Sequence, residues 1–386
     1  MGQRGKMRIL IVLEPSGGGS GRNALDLVEA TLDRGHDTHL VYSATRMDPL
    51  FARRLRSICP SRRHRVDMDR APGPRDLFAL RGLRQVLRRL GPFDVIHAHS
   101  SKAGALTRLL PRRYGARIYT PHAFRTMDPA CRGIARALFG GVEGALARWA
   151  TDALICVSPD EMAEAQRLRA PLDRTHLVPN GVPRATPSVP LTRADLNLSP
   201  TDIVFGFVGR LSAQKDPLAF VEAIARIRDL THIRAIIVGA GELDVPLQQQ
   251  INAKGMGEVI CCVGQDDAAR YYPLFDVFVL TSQYESMPYV LIEAAEAGLP
   301  MIATDVSTAG SIIADGQNGL IVPRAELATA LPKAMEALTQ PDQRSAMTAQ
   351  AARLRGRYSL DKMVDQTLAV YQAALGGQGG SAAAGR

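Results

Sequence analysis

The sequence predicts an α/β protein with two doubly wound domains joined by a linker. In both halves of the 386 residues, short apolar runs alternate with helix-forming stretches. This alternation is typical of parallel strands connected by helices. Residues 184–192 (RATPSVPLT) interrupt it with a segment rich in Pro, Ser and Thr, which is typical of a linker. The length also suits two domains of ordinary size.

The first domain is expected to span residues 1–183. Its strands should be continuously apolar, because a parallel sheet is covered on both faces. The predicted strands are residues 8–13, 38–42, 94–97, 117–120 and 153–157. The predicted helices are residues 23–32, 75–90, 103–110 and 132–150, and a glycine-rich loop is predicted at residues 14–21.

The second domain is expected to span residues 184–357. Its predicted strands are residues 203–208, 234–238, 259–263, 277–280 and 302–304, and its predicted helices are residues 218–228 and 290–297. A last helix is predicted within residues 358–375, and the glycine-rich residues 376–386 are expected to form a flexible tail.

The composition excludes several classes of protein. No apolar run approaches the roughly 18 to 20 residues that a membrane-spanning helix needs, and the first apolar run is typical of a buried strand. Five scattered cysteines without a CxxC pair predict reduced thiols in a cytoplasmic protein and no zinc site.

The net charge of +9 leaves two interpretations open. Much of the positive charge falls between Arg53 and Arg89. These residues could form a solvated helix surface, or they could attract an anionic membrane, which is worth about 1 kcal/mol for each basic residue near the lipid. Nucleic acid is not an expected partner, since aromatic residues make up 5% of the chain and do not alternate with arginines.

Two carboxylates mark a strand-to-helix junction in the second half. Glu285 follows the apolar run 277–280, and Glu293 lies in the second turn of the helix behind it. The carboxyl ends of parallel strands are where open α/β sheets bind ligands. Either glutamate could be an ordinary solvated residue, but Glu293 has apolar sequence neighbours and needs a hydrogen-bonding partner to stay charged.

A second junction carries two cations. Arg210 and Lys215 follow the predicted strand 203–208, ahead of Asp216 and Pro217, which are typical of the cap and first turn of a helix. A planar guanidinium and a flexible ammonium in such a loop could clamp a diphosphate. No Walker A sequence is present, which excludes a P-loop nucleotidase.

The glycine-rich loop in the first half also suits an anion. Glycines ahead of a helix allow close approach to the backbone N–H groups at its N-terminus. The spacing fails the dinucleotide fingerprint G-x-G-x-x-G, so a nicotinamide cofactor is not expected. A plain surface turn is the alternative interpretation of this loop.

Several motifs together resemble one enzyme family. In the second half they are Gly209-Arg210-x4-Lys215, GAGE at 239–242, Glu285-x7-Glu293 and DGQNGL at 315–320. PNGV at 179–182, HSSKAG at 99–104 and TPH at 120–122 complete the set. This combination resembles the retaining GT-B glycosyltransferases of family 4, in particular the exopolysaccharide and O-antigen type.

The resemblance implies a fold and roles for individual residues. It implies two Rossmann-like domains that face each other across a cleft, with the C-terminal helix crossing back to the first domain. Arg210 and Lys215 would neutralise the departing diphosphate, Glu293 would hold the ribose, and Glu285 would hold the sugar hydroxyls. The implied catalytic residues are His122, Arg210, Lys215 and Glu285. The implied donor-binding residues are Gly17, Gly18, Gly209, Arg210, Lys215, Gly239, Glu285, Ser286, Met287 and Glu293. The implied acceptor-side residues are Ser100, Lys102 and His122.

Three local features qualify these implications. Ser286 stands where the family usually has glycine, and the loop 306–311 lacks a carboxylate that the family often has there. His97 and His99 are expected to point to opposite faces of their strand, with structural or acceptor-side roles.

The sequence thus predicts a retaining glycosyltransferase, a hexosyltransferase that transfers a sugar from a nucleoside-diphosphate donor to a hydroxyl of a lipid-linked glycan. No metal or other cofactor is expected. The protein is expected in the cytoplasm, peripherally bound to the inner face of the cell membrane. Two alternatives remain open, namely a nucleotide-sugar epimerase or hydrolase on the same fold and a non-catalytic basic module that docks on a membrane.

Overall fold

A computed structural model describes residues 5–128, 130–183, 189–230, 232–306 and 308–382. The chain divides into two compact units, one formed by Met1–Asn180 with Leu360–Arg386 and the other by Gly181–Ser359. No helix within the described ranges is long and apolar enough to cross a membrane. Of the predicted linker, residues 184–188 lie outside the described residues.

The first unit is a parallel sheet with helices packed against it. Its strands are β1 (Arg8–Leu13), β2 (Asp37–Tyr42), β3 (Arg63–Arg65), β4 (Val95–His99), β5 (Ala116–Thr120), β6 (Ala153–Cys156) and β7 (Thr175–Leu177). Its helices are α1 (Gly18–Asp33), α2 (Pro49–Leu55), α3 (Asp76–Leu90), α4 (Ser101–Arg108), α5 (Gly133–Trp149) and α6 (Pro159–Arg167). The strands lie in the order β3-β2-β1-β4-β5-β6-β7.

The second unit repeats this plan. Its strands are β8 (Ile203–Val208), β9 (Ile233–Val238), β10 (Ile260–Gly264), β11 (Val277–Leu280), β12 (Met301–Thr304) and β13 (Gly319–Val322). Its helices are α7 (Pro217–Ile227), α8 (Asp244–Ala253), α9 (Tyr289–Ala297), α10 (Ala309–Ile312), α11 (Leu327–Ala337) and α12 (Pro341–Ala351). The strands lie in the order β10-β9-β8-β11-β12-β13.

In each sheet, the order in which successive strands are added reverses at one strand. β1 lies between β2 and β4, and β8 lies between β9 and β11, with parallel pairing on both sides. Chain connections run outward from these strands in both directions, which leaves a crevice at their carboxyl ends. The predicted fold class, two doubly wound parallel-sheet domains, is confirmed.

The buried faces of β1 explain its continuous apolar sequence. Ile9, Ile11 and Leu13 join one apolar cluster of the first unit, and Leu10 and Val12 join another. Because successive side chains of a strand point to opposite faces, both faces of this sheet are covered.

The last helix, α13 (Leu360–Ala382), belongs to the first unit. Met363, Val364, Leu368 and Tyr371 are buried in the same cluster as Ile9 and Ile11. The expected flexible tail is wrong for residues 376–382, which continue the helix, because extending an existing helix costs less than nucleating one. The remaining tail residues, 383–386, lie outside the described part of the chain.

Two predictions of local structure are also wrong. The loop predicted at 14–21 ends earlier, since α1 begins at Gly18 rather than at Asn23, and the Gly21 N–H donates to the Gly17 carbonyl at 3.0 Å. The helix predicted at 290–297 begins one residue earlier, at Tyr289, with Pro288 as its cap. Elements that the sequence pattern did not predict are α2, β3, α6, β7, α8, α10, β13, α11 and α12.

Candidate functional site

A buried ion pair joins two predicted residues at the carboxyl edge of the second sheet. The Lys215 ammonium lies 2.6 Å from Glu285 Oε1, and the side chains are only 16% and 9% exposed. Ser282 Oγ donates to the same carboxylate oxygen at 2.8 Å. Lys215 follows β8 and Glu285 follows β11, so the pair spans the switch point of the sheet.

The surrounding loops hold this ion pair in place. Asp216 caps α7 and also pairs with Arg324, whose other guanidinium nitrogen donates to the Thr281 carbonyl, both at 2.8 Å. The Thr281 hydroxyl in turn donates to the Lys215 carbonyl at 2.8 Å. Arg324 could not be predicted from the sequence, because a lone arginine far along the chain gives no local signal of this contact.

The glycine at the end of β9 is required by close packing. A Cβ on Gly239 would collide with the carbonyl oxygen of Gly209, and its own backbone has a φ of 149°, in the region that favours glycine. The loops after β8 and β9 therefore approach each other backbone to backbone. This brings the backbone of the Gly209–Arg210 loop close to the next strand end.

The other predicted donor residues differ in their environment. Arg210 is exposed, and it forms no ion pair with any residue that the structure describes. The Glu293 carboxylate accepts a hydrogen bond from the Tyr272 hydroxyl at 2.7 Å, which supplies the partner that a half-buried carboxylate needs. Ser286 is half-buried and Met287 is buried.

The loop after β12, predicted to lack a carboxylate, is described except for Ser307. Asp305 lies between β12 and this loop, and its carboxylate accepts a hydrogen bond from the backbone N–H of Arg324 at 2.8 Å. This carboxylate therefore supports the same arginine that holds Asp216.

In the first unit, an internal carboxylate already occupies the glycine-rich loop. Asp48 accepts from the Gly18 N–H at 2.8 Å and from the Phe51 N–H at 2.7 Å. It thus caps α2 while it sits at the N-terminus of α1, where the helix dipole favours negative charge. Gly17 packs directly against the Asp48 side chain. The anion that this loop holds is a side chain of the chain itself, and a role for Gly17 and Gly18 in binding a diphosphate stays a prediction.

Of the two predicted residues after β4, one is engaged in internal contacts. The Lys102 ammonium is buried, and it donates to the Asp76 carboxylate at 2.7 Å and to the Ala71 carbonyl at 2.9 Å. This geometry favours a structural role that ties α4 to α3, and an acceptor-side role for Lys102 stays a prediction. Ser100 is half-buried and precedes α4 with a φ of 73°.

Three histidines form a continuous stack at the carboxyl ends of β4 and β5. The ring centroids of His97 and His99 lie 4.2 Å apart, and those of His99 and His122 lie 5.2 Å apart. The expectation that His97 and His99 point to opposite faces is wrong, because residues two apart in a strand share a face. The stack ends at α13, where the Tyr371 hydroxyl lies 2.7 Å from His97 Nδ1.

His122 itself sits in a strained turn. His122 and Ala123 have φ values of 49° and 74°, and consecutive non-glycine residues in this region indicate strain that the surroundings must hold. The buried Glu161 provides that restraint, since its carboxylate accepts from the N–H groups of Ala123 at 2.6 Å and Val157 at 3.0 Å. Glu161 was not predicted from the sequence. The signal that could have identified it is its spacing from Ser158, which is that of a capping box.

Desolvation keeps all three rings neutral. It lowers the pKa of His97 and of His122 to about 3 and lowers the pKa of His99 well below its ordinary value of 6.5. His99 Nδ1 lies 2.9 Å from His122 Nε2, and the buried His99 Nε2 has no partner among the described residues. A buried N–H without an acceptor is rarer than a bare lone pair, so we assign the shared proton to His99 Nδ1. His122 then carries its own proton on Nδ1, as a neutral hydrogen-bond donor.

Within the described ranges, no group of three His, Cys, Asp or Glu side chains is arranged to hold a metal ion. The expectation that no metal is needed stays a prediction.

Two doubly wound parallel-sheet units are the fold that the resemblance to GT-B glycosyltransferases implies, and solved structures share this fold. The chain is 21% identical to a sucrose-phosphate synthase from Thermosynechococcus elongatus, with a TM-score of 0.77 over 96% of this chain and 100% of that one. HepE of Anabaena, solved in complex with UDP and glucose, is 19% identical with a TM-score of 0.77 over 95% of this chain and 100% of that one.

The family follows from the sequence matches. Residues 17–185 match the family described as Glycosyltransferase Family 4, and residues 189–355 match Glycosyl transferases group 1. The chain therefore belongs to the GT-B glycosyltransferases of family 4/group 1.

Two curated relatives illustrate the range of the family. The chain is 28% identical over 261 residues to UDP-Gal:alpha-D-GlcNAc-diphosphoundecaprenol alpha-1,3-galactosyltransferase of Escherichia coli, across 64% of this chain and 67% of that protein. It is 28% identical over 307 residues to D-inositol 3-phosphate glycosyltransferase of Geodermatophilus obscurus, across 74% of this chain and 67% of that protein.

Because the folded protein keeps these histidines neutral, we expect the free energy of unfolding to decrease as the pH is lowered. The unfolded chain protonates these rings near pH 6.5 whereas the folded chain does not, so their contribution is complete above about pH 7 and is lost as the pH falls toward 3. Each proton taken up on unfolding adds a slope of up to about 1.4 kcal/mol per pH unit. In urea unfolding between pH 7.5 and 5.5, we expect His99→Phe to reduce this slope relative to the unmodified protein.

Tyr371→Phe is the matched control for this experiment. It removes the hydrogen bond to His97, which should cost about 1 kcal/mol, but it keeps every titrating ring. The slope should therefore persist in Tyr371→Phe while the absolute free energy of unfolding decreases. An unchanged slope in His99→Phe would contradict the conclusion that His99 stays neutral in the folded protein.

Proposed function

We propose that this protein is a retaining glycosyltransferase of the hexosyltransferase type. It transfers a sugar from a nucleoside-diphosphate sugar to a hydroxyl of a lipid-linked glycan, at the inner face of the cell membrane, during cell-surface polysaccharide biosynthesis. The observation that carries the proposal is the Lys215–Glu285 ion pair at the switch point of the second sheet.

The ion pair has the chemistry that a nucleotide-sugar donor requires. A nucleotide sugar offers negative charge at the diphosphate and neutral hydroxyls on the sugar. Lys215 is suited to the first and Glu285 to the second, because a carboxylate accepts hydrogen bonds from hydroxyl groups. On donor binding, Lys215 exchanges one anion for another, and Glu285 exchanges an ammonium for sugar hydroxyls. Neither side chain is then left buried without a partner.

Cations at the diphosphate assist the reaction itself. When the bond between the anomeric carbon and the phosphate oxygen breaks, negative charge develops on the leaving phosphate. Preorganised cations at that position stabilise the transition state more than the ground state. Arg210 is exposed and unengaged among the described residues, so it is available as the second cation. The backbone at Gly209 and Gly239, together with Ser286 and Met287, completes the proposed donor site, and Glu293 is proposed to bind the ribose.

Retention of configuration follows from front-face attack in this proposal. The acceptor oxygen forms its bond to the anomeric carbon on the face from which the phosphate departs. The proton of the acceptor hydroxyl passes to the leaving phosphate oxygen, so atoms and charge balance without a covalent enzyme intermediate. No carboxylate nucleophile is required, which matches the hydrogen-bonding and ion-pairing roles found for Glu285 and Glu293.

The first unit supplies the remaining groups of the proposal. His122 is a neutral ring with a proton on Nδ1, and it is proposed to donate a hydrogen bond near the reacting centre. Ser100 is proposed on the acceptor side. Gly17 and Gly18 are proposed to approach the diphosphate, and because Asp48 holds the Gly18 N–H, an incoming phosphate must compete with that carboxylate.

A lipid-linked acceptor is supported by one relative. The Escherichia coli galactosyltransferase is named for a diphosphoundecaprenol acceptor and a UDP-sugar donor. HepE was solved with UDP and glucose. We therefore propose a UDP-sugar as the first donor to test.

The reaction can be tested directly. The protein is incubated with UDP-, GDP- and dTDP-hexoses and with a diphosphoundecaprenol-linked sugar, and the product linkage is assigned from its anomeric proton coupling. We expect transfer with the donor's anomeric configuration retained. An inverted product would overturn the mechanism, and turnover of the donor without an acceptor would favour an epimerase or a hydrolase.

The ion pair offers a matched comparison within the same unit. Lys215→Ala should lower kcat/KM by about 10²–10³, the usual effect of removing one preorganised group that stabilises transition-state charge. Lys254 forms a similar but more exposed ion pair with Glu222 at 2.7 Å, and it lies at the C-terminal end of α8, away from the carboxyl ends of the strands. Lys254→Ala should leave kcat/KM unchanged, and an equal loss in both variants would show that Lys215 acts only on stability.

A further inference from the structure

Helix α5 packs against its unit in an unusual orientation. Its inward side is formed by small residues, since a Cβ on Gly144 would lie 2.5 Å from the Leu168 carbonyl oxygen and one on Gly140 would lie 3.2 Å from the Leu168 side chain. Ala147 is the buried residue of this helix. An ordinary surface helix buries its large apolar residues, whereas α5 turns Gly140, Gly144 and Ala147 inward.

The large apolar residues of α5 therefore face solvent. Ile134, Leu138, Val142 and Trp149 are 88%, 65%, 50% and 71% exposed. At about 100° per residue, these four positions fall within an arc of about 80° on one side of the helix. A continuous apolar stripe of this size on a surface helix indicates a binding surface rather than scattered exposure.

The charges around this stripe are positive. Arg136 and Arg148 are exposed on α5, and Arg148 lies next to the stripe, about 40° from Ile134 around the helix axis. The one acidic residue of the helix, Glu143, accepts from the buried Arg108 at 3.0 Å. The nearest carboxylates on either side, Asp128 and Asp152, form ion pairs with Arg125 and Arg112.

We propose that the exposed stripe of α5 docks on an anionic lipid bilayer. Aliphatic side chains and a tryptophan suit the boundary between head groups and acyl chains, and the exposed Arg148 beside the stripe, with Arg136 on the same helix, suits anionic head groups. A second copy of this chain fits less well, because a two-fold contact through this stripe would bring the same arginines together.

The proposed docking surface on α5 differs from the basic segment between Arg53 and Arg89 that the sequence suggested for membrane binding. Some of those cations are neutralised internally, with Arg54 paired to Asp26, Arg62 to Asp37 and Arg65 to Asp67. The segment also contains exposed apolar residues, Leu77 and Phe78 on α3. These two positions provide a control of similar exposure in the same unit.

This inference complements the proposed function without resting on it. Docking at α5 would hold the first unit at the surface where a lipid-linked acceptor resides. Its test uses vesicles alone, without donor or acceptor, so vesicle binding and sugar transfer can succeed or fail separately.

The chain contains one tryptophan, Trp149, and it lies in the stripe, so its fluorescence reports docking directly. The full-length protein is titrated with vesicles of phosphatidylglycerol and phosphatidylcholine in equal parts, and with vesicles of phosphatidylcholine alone. We expect a blue shift and quenching by brominated acyl chains with the anionic vesicles, and binding at least about tenfold weaker to the neutral ones.

Two double variants locate the surface. Ile134→Ser with Leu138→Ser should weaken binding to anionic vesicles at least about tenfold, since both side chains leave water on docking. Leu77→Ser with Phe78→Ser should change it less than about twofold. Both pairs are exposed, and thermal unfolding confirms that each variant remains folded.

Three results would overturn the proposal. The first is no change in Trp149 fluorescence with anionic vesicles, and the second is loss of binding in the α3 variant but not in the α5 variant. The third is a blue shift that depends on protein concentration without vesicles, which would identify a second copy of the chain as the partner.

Discussion

The reversal of strand order at β1 and at β8 is the constraint on which the rest of the structure depends. Parallel strands need crossover connections. In each sheet, these connections run outward to both sides of the reversal strand. The crevice that results at the carboxyl ends collects residues from distant parts of the chain. Lys215 and Glu285 meet there although 70 residues separate them. In the first unit, His99 and His122 lie side by side at the carboxyl ends of the neighbouring strands β4 and β5.

Both sites pair charged or polar groups in advance of any ligand. In the second unit, Glu285 holds Lys215, and Arg324 holds the loop beneath them. In the first unit, Asp48 occupies the N-terminus of α1, and Tyr371 closes the histidine stack. These internal partners satisfy the charges of both groups of residues. In the proposed function, ligand atoms would take the place of these partners.

The sequence predicted the architecture well, because apolar runs and helix signals are local. It identified β1, β8 and β11 at their observed bounds and placed Asp216 correctly at the start of α7. It missed the short edge strands and several helices, among them α6 and α11, although both of these helices are amphipathic. Lys102 and Asp48 illustrate why site roles were harder to predict, since their partners depend on how separate elements pack. The orientation of α5 was equally hidden, because only the packed structure shows which side of a helix faces solvent.

The most direct measurement compares how two ligands bind three forms of the protein. Calorimetry would use the preferred nucleoside diphosphate with and without its sugar, on the unmodified protein, Lys215→Ala and Glu285→Gln. If Lys215 binds the diphosphate and Glu285 binds the sugar, Lys215→Ala weakens both ligands. Glu285→Gln then weakens only the nucleotide sugar, by about tenfold or more, because it removes a charged acceptor of sugar hydroxyl groups. Equal weakening of both ligands by Glu285→Gln would contradict this division of roles.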